Sequence, residues 1–455
     1  MIRLPGIVLI DDNKEDLEQL HGNLIKIGYP CLPIHYKNND EENKSGIDHI
    51  NINIIKPRII ITDLNLQEHQ ITPKNLVGPI AEVLKKLNIS GPYLLYFWTK
   101  NNNHASEVMD IIFERYKDDI PLPLHYGVID KAKFKFSPDT QKKIIENLIM
   151  ENSIFNALFS WENKISIAAQ NTIDSLFKLA TPETSNSVTE FQSKVKDKLE
   201  TMLAIIGNEA IGIKNAKEFP GNAIELGLEP VLHDHIHLSS NVENSNAIWQ
   251  SATGKVGCKQ GPLDIKAHLN SFYHIEESVS NDLKHKRGYW VELNSEYFSN
   301  NTEKLEKNLG RKIKTILYEE FLNCDNGDKT LRDKARNATT LGFIELSAEC
   351  DQAQRKTKLN RYFLSAMIPV EYEKLTYYGD GKRESAHAGI YRLPNVIIKN
   401  KEYIVKISFM YQIGIIPDSN KWLGKPIFRL KEQILSDISY RASQHITRPG
   451  IIRFD

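Results

Sequence analysis

The first 136 residues repeat one arrangement five times: a short apolar run, interpreted as a strand, followed by a segment with helical spacing of its apolar residues. Alternation of strands and helices favours a parallel sheet with helices on both faces. The sequence therefore predicts an α/β domain over residues 1–136. The five predicted strands are Gly6–Ile10, Leu32–Tyr36, Arg58–Thr62, Tyr93–Trp98 and His125–Ile129.

Two of the intervening segments carry signals of helix boundaries. The amphipathic stretch DLEQLHGNLIKIG is closed by Gly28, and PKNLVGPIAEVLKKLNI is opened by Pro73. The polar segment 37–46, KNNDEENKSG, predicts a loop before the next helix.

Acidic residues stand directly after two of the predicted strands. Asp11 and Asp12 follow the first strand, and Asp63 follows the third. In a doubly wound sheet the ligand site forms outside the carboxyl ends of the strands, so neighbouring first and third strands would bring the three carboxylates together. Such a cluster repels itself unless a cation lies among its oxygens, and Mg²⁺ suits carboxylate ligands. We expect Asp11, Asp12 and Asp63 to hold Mg²⁺ with the backbone carbonyl of Asn65.

The fourth and fifth strands end in groups suited to phosphoryl transfer. Thr99 offers a hydroxyl that can bond a phosphoryl oxygen, and Lys131 offers a point charge that can neutralise another. With these two groups to stabilise the charge, Asp63 is the expected nucleophile.

The motifs LIDDN, ITDLN, FWT and IDK, in that order, resemble those of receiver domains of response regulators over residues 1 to about 136, roughly a third of the chain. The resemblance implies a flavodoxin-like (βα)5 fold and transfer of a phosphoryl group from a partner histidine kinase to Asp63. Lys100, Ala132 and Val128 depart from the family pattern. They stand where it has a small residue, a proline and the aromatic switch residue.

Two other interpretations of the acidic residues stay open. Aspartates at strand ends can be helix caps, and Asp12 could cap the first helix by itself. Alternatively, the domain could keep the receiver fold without being phosphorylated.

The remaining chain divides into two regions. Residues 137–245 predict a mainly helical connector, in which TPETSNSV (181–188) is a linker by composition. Residues 246–455 predict an α+β domain of unknown role, with strands near YWVEL and GFIEL, a helix KLEKNLGRKIKTILYEEFL and then the segment RYFLSAMIPV. A hairpin is expected with Asn400 and Lys401 near its turn, and GIIRF predicts a short last strand.

Two C-terminal motifs are candidate sites with plain structural alternatives. His233, His235 and His237 would face one side of a strand and could bind a metal, or they could lie in a polar loop. Cys350, at the end of a predicted strand, could be a nucleophile activated by a nearby cation, or it could simply be buried.

The segment ECDQAQRK, with the neighbouring RYFLSAMIPV, is similar to a C-terminal region of receiver-containing proteins from prokaryotic conflict loci. Together with the receiver motifs, it makes the whole chain resemble the buffering response regulator of Detocs-type anti-phage systems. The resemblance implies two partners, a sensor histidine kinase and a second receiver-containing effector.

Composition argues against several other classes of protein. Lys+Arg and Asp+Glu both number 58, so no bulk charge attracts nucleic acid or a membrane surface. The four cysteines are far apart, no apolar segment is long enough to span a membrane, and the start of the chain does not match a signal peptide, so we expect a cytoplasmic protein. The alternatives to a phosphoryl-accepting regulator are a DNA-binding transcriptional regulator and an effector enzyme with a C-terminal active site.

Overall fold

The computed structural model divides the chain into two compact units. One unit comprises Met1–Leu179 and Val231–Val256, and the other comprises Ala180–Pro230 and Gly257–Asp455. The structure describes residues 6–37, 46–48, 50, 56–67, 71–87, 89–100, 104–131, 138–238, 242–254, 256–257, 263–322, 328–348, 352, 357–377, 389–417, 419 and 421–447.

A five-stranded, fully parallel sheet organises the first unit. Its strand order is β2-β1-β3-β4-β5, the order of flavodoxin-like doubly wound sheets. The predicted α/β class with its parallel sheet is confirmed. The strands are β1 (Ile7–Asp11), β2 (Cys31–His35), β3 (Ile59–Thr62), β4 (Leu94–Thr99) and β5 (His125–Asp130).

Helices cover both faces of this sheet because both faces of its strands are apolar. On β1, Val8 and Ile10 pack on one side, and Ile7 and Leu9 pack on the other. The first side carries α2 and α3, whereas the second carries α1, α4 and the start of α5. These helices are α1 (Lys14–Lys26), α2 (Pro73–Lys86), α3 (Ala105–Tyr116), α4 (Pro138–Glu151) and α5 (Ser153–Ala180).

The predicted helix boundaries are found where the sequence placed them. Gly28 follows the end of α1 with φ +87°, a conformation that favours glycine, and Pro73 is the first residue of α2. A helix between β2 and β3 would fall largely outside the described residues.

Five further helices follow α5 along the chain. The predicted linker coincides with the connection between α5 and the next helix, whose N-cap is Ser187. They are α6 (Val188–Ile211), α7 (Ile213–Glu218), α8 (Pro220–Leu238), α9 (Val242–Ala252) and α10 (Leu263–His274).

An eight-stranded antiparallel sheet forms the core of the second unit. Its order is β10-β12-β9-β8-β7-β13-β6, and β11 pairs with β12. Adjacent residues of β8, Phe343 and Ile344, lie in two different apolar clusters, so the sheet has a core on each face. The strands are β6 (Ile275–Glu276), β7 (Tyr289–Leu293), β8 (Thr340–Glu345), β9 (Asn360–Pro369), β10 (Ile390–Arg392), β11 (Val396–Ile398), β12 (Lys401–Ile415) and β13 (Leu423–Leu430).

The remaining helices accompany this sheet. Two short 3-10 helices, Asn281–Leu283 and Val370–Thr376, and a π-helical turn, Leu317–Phe321, complete the described structure. The α-helices are α11 (Ser295–Leu309), α12 (Ile313–Ile316), α13 (Lys329–Ala338) and α14 (Glu432–Thr447).

Two local predictions in this region have different outcomes. The hairpin is confirmed, because Lys399 and Asn400, with φ +49° and +60°, form the two-residue turn between β11 and β12. The single helix predicted over KLEKNLGRKIKTILYEEFL is wrong, because Gly310 takes a left-handed conformation and ends α11. The predicted GIIRF strand lies outside the described residues.

Among the described residues, no helix combines the length and apolar character needed to cross a membrane.

Candidate functional site

The carboxyl edge of the parallel sheet brings the three predicted aspartates together. Asp11 is the last residue of β1, and Asp63 follows the neighbouring β3, where its N–H donates to Ile10 O at 2.8 Å. Carboxylate oxygens of Asp11, Asp12 and Asp63 lie within 4.8 Å of one another. Among the residues that the structure describes, this is the one group of three or more acidic, histidine or cysteine side chains close enough to share a metal ion.

Lys131 joins this cluster from the end of β5. Its Nζ donates to Asp63 Oδ2 at 2.6 Å and to Asp11 Oδ2 at 2.9 Å, and a third carboxylate, Asp16 of α1, lies 3.4 Å away. The Lys131 side chain is 6% exposed, so water screens these contacts weakly. Nζ also lies 4.6 Å from the centre of the Trp98 ring, in cation–π geometry.

Burial and like charges oppose ionisation of the acids. Burial, reinforced by the charge of Asp63, raises the pKa of Asp11 to about 7 despite Lys131. Burial and Asp63 also raise the pKa of Asp12. Burial alone would lower the pKa of Lys131, but Asp63 and Asp11 outweigh it and raise that pKa. The cluster thus holds more negative charge than one lysine balances.

Backbone donors fix the orientation of the two buried carboxylates. Asn13 N–H donates to Asp11 Oδ1 at 2.8 Å, and Asn65 N–H donates to Asp63 Oδ1 at 3.2 Å. Asn65 therefore lies beside the cluster, and its contact there is through the N–H. The N-cap of α1 is Asn13, whose side chain accepts from Glu15 N and Asp16 N, so Asp12 is not that cap.

The donor set fits a metal ion. Three carboxylates provide hard oxygen ligands, and a divalent cation would neutralise the charge of Asp63 that, together with the larger effect of burial, raises the pKa of Asp11 and Asp12. Asp11, Asp12 and Asp63 could therefore hold a metal ion at this edge.

Thr99 lies at the same edge, buried at the end of β4 and aligned with Asp130 of β5. Lys100 follows it and is exposed, and Val128 is half-buried on β5. Ala132 lies outside the described residues. The structure thus places every side chain of the predicted set (Asp11, Asp12, Asp63, Thr99 and Lys131) at the carboxyl ends of the strands.

Sequence reasoning missed two neighbours of Lys131. Asp16 lies 115 positions from it in the chain, and Trp98 precedes the predicted Thr99. The helical spacing from the Asn13 cap could have placed Asp16 in the first turn of α1, above the strand ends. No local signal pairs it with Lys131.

The histidine motif is not arranged as predicted. His233, His235 and His237 lie on α8 and not on a strand, so alternate imidazoles point to different sides. His233 and His237 contact each other one turn apart, with ring centres at 4.7 Å, while His235 Nδ1 contacts Thr172 Oγ1 at 2.8 Å. Three imidazoles on one face of a strand are therefore excluded.

Cys350 lies outside the described residues, and so does most of the ECDQAQRK segment. Gln352 is described, and its side chain contacts Glu345 at the end of β8.

Comparison with protein-family models, with curated proteins and with solved structures finds no match for this chain.

Proposed function

We propose that residues 1 to about 136 form a receiver of the response-regulator type, in which Asp63 accepts one phosphoryl group in a Mg²⁺-dependent reaction. The observation that carries the proposal is the buried Lys131 ammonium, bonded to both Asp63 and Asp11. In this proposal Asp63 is the nucleophile, Asp11 binds the cation, and the Lys131 ammonium is a fixed positive charge between them. Phosphoryl transfer needs all three groups at one place.

In the proposed reaction an Asp63 oxygen attacks phosphorus, the P–N bond of a phosphohistidine breaks, and the leaving nitrogen keeps the bonding pair. Lys131 moves from the Asp63 carboxylate to a phosphoryl oxygen, and the Thr99 hydroxyl donates to another. Asp11, Asp12, Asp63 and the Asn65 carbonyl would hold Mg²⁺, which would supply charge neutralisation.

The proposed physiological setting rests on the sequence motifs. A sensor histidine kinase would be the donor, and the chain would act in the cytoplasm as a signalling component or phosphate buffer of a Detocs-type anti-phage pathway, beside a second receiver-containing effector. The C-terminal unit would then bind or dock rather than catalyse.

Intact-mass measurement tests the phosphoryl acceptor directly. The full chain is incubated with acetyl phosphate and Mg²⁺, and we expect the mass to rise by one phosphoryl group. Asp63→Asn should abolish the gain, because its amide is a poor nucleophile. Asp130→Asn is the matched control, since Asp130 ends β5 at the same edge of the sheet but is not part of the three-carboxylate group, and it should keep the gain.

Two results would contradict the proposal. One is labelling that persists in Asp63→Asn, and the other is labelling of the unaltered chain that is equally fast in EDTA.

A further inference from the structure

Lys131 has one carboxylate partner that takes no part in the proposed cation site. Asp16 Oδ2 lies 3.4 Å from Nζ, and its side chain is 18% exposed. The N-cap of α1 positions Asp16. The Asn13 side chain accepts from Asp16 N at 3.2 Å, and this holds Asp16 in the first turn of α1, beside the strand ends. Asp16 therefore reaches Lys131 from the helix, whereas Asp11 and Asp63 reach it from the sheet.

A cation and Lys131 compete for the same two carboxylates. Asp11 and Asp63 are partners of Lys131 in this structure and belong to the three carboxylates that could hold a metal ion. A divalent cation that shares these carboxylates weakens both lysine contacts and repels the ammonium. A buried ammonium without a partner is costly, so its remaining contacts influence how tightly a cation binds.

We propose that Asp16 is a positioning residue that keeps Lys131 paired when a cation enters, and thereby raises the cation affinity of the cluster. The inference rests on the proposed function only through its cation site. The ring of Trp98 lies on the same ammonium and helps to keep it in place. Asp16 acts through Lys131, so its effect requires the lysine.

A double-mutant cycle followed by calorimetric titration with Mg²⁺ tests this dependence. We expect Asp16→Asn to weaken Mg²⁺ binding about fivefold to tenfold, as for one partly exposed ion pair. In a Lys131→Met background the same substitution should change affinity less than about twofold, because no ammonium needs a partner. Asp16→Glu, which keeps the charge, should recover part of the affinity.

Glu15→Gln is the matched control. Glu15 lies in the same helical turn, is exposed, and has its N–H bonded to the same Asn13 side chain. It should leave Mg²⁺ affinity within about twofold, since it removes an equal charge that does not contact Lys131. Unchanged circular dichroism of all variants shows that the fold is retained.

An equal loss of affinity with and without Lys131 would overturn the proposal, because Asp16 would then act on the cation directly. Unchanged affinity in Asp16→Asn would overturn it as well. These outcomes are distinct from failure of the proposed function, in which the unaltered chain binds Mg²⁺ but gains no phosphoryl group.

Discussion

Asp11 and Glu345 are both fully buried carboxyl groups at strand ends, one in the parallel sheet and one in the antiparallel sheet, and their neighbours are opposite in kind. Asp11 lies among two more carboxylates and shares one lysine with Asp63. Glu345 is surrounded by donors: Ser347 N–H donates to Oε1 at 3.0 Å, and Gln352 Nε2 donates to Oε2 at 2.8 Å.

The two carboxyl groups share a raised pKa and its main cause, which is burial, but the charges and hydrogen bonds around them act differently. Burial raises the pKa of each to about 7. A second carboxylate, Asp63, raises that of Asp11 further, whereas the Ser347 and Arg361 contacts and the charge of Arg287 all act to lower that of Glu345. A raised pKa is therefore common to both regions. The candidate site differs from the Glu345 region in its like-charged neighbours, because buried carboxylates close to one another need a cation to stabilise them.

The surroundings of Glu345 suit a structural role. Besides donating to Glu345, the Gln352 side chain accepts from Arg287 N–H at 2.8 Å and donates to His285 O at 3.3 Å. One amide thus connects the segment after β8 to the loop before β7. Gln352 is the described residue of the ECDQAQRK segment, and its contacts are structural hydrogen bonds of this kind.

We expect the largest loss of stability for Lys131→Met. Without Mg²⁺, the loss of the only cation bonded to Asp11 and Asp63 in the described cluster should cost about 3–5 kcal/mol of unfolding free energy. With saturating Mg²⁺ much of this loss should be recovered, since a divalent cation supplies the missing charge. Urea unfolding with Mg²⁺ and with EDTA measures both values.

Lys85→Met is the control for that substitution. Lys85 pairs with Asp119 on the surface, so its loss should cost under about 1 kcal/mol in either condition. A Lys131→Met deficit that Mg²⁺ leaves unchanged would show that the cluster is stabilised like the Glu345 region, without a cation.

Glu345→Gln should produce a smaller, pH-dependent effect. The folded pKa of about 7 exceeds the ordinary value of 4.5, so the stability contribution of Glu345 is complete below about pH 4.5 and is lost as pH rises to about 7. Relative to the unaltered chain, the variant should gain about 2–3 kcal/mol between pH 4.5 and pH 8. Urea unfolding across this range measures the difference.

Glu371→Gln provides the control, because it removes an equal charge from an exposed side chain. If Glu345→Gln shows the same pH dependence as the unaltered chain, the Glu345 carboxyl group is not protonated in the folded state at pH 6.

The smallest change in stability is expected for Asp12→Ala. Removing one of the crowded carboxylates relieves repulsion with Asp63, so metal-free unfolding free energy should rise or stay within about 0.5 kcal/mol. Mg²⁺ affinity should nevertheless fall more than tenfold, by about 1.4 kcal/mol or more. Thermal unfolding in EDTA and calorimetric titration measure the two quantities. A marked drop in the metal-free melting temperature would mean that Asp12 stabilises the fold.

Local sequence patterns predicted the elements whose structure depends on the burial of one segment or on the conformation of one turn. The central strands β1, β3 and β4 are buried on both faces, so they appear as apolar runs. The predicted limits of all five strands differ from the observed ones by one residue at most. The hairpin turn was found from Asn400 for a similar reason, because its positive φ is a local requirement. The histidine motif failed because alternate polar residues do not distinguish a strand from an exposed helix.

The sequence by itself determined the α/β class of the first unit and the set Asp11, Asp12, Asp63, Thr99 and Lys131, since strand ends and side-chain chemistry are both local properties. Only the tertiary structure decided that Lys131 bonds to Asp63 and Asp11, with Asp16 as a third acid and Trp98 against its charge. These contacts join residues 33 to 120 positions apart. They depend on how α1 packs on the sheet and on the place of β5 within it, and both are set by the whole core rather than by any one segment.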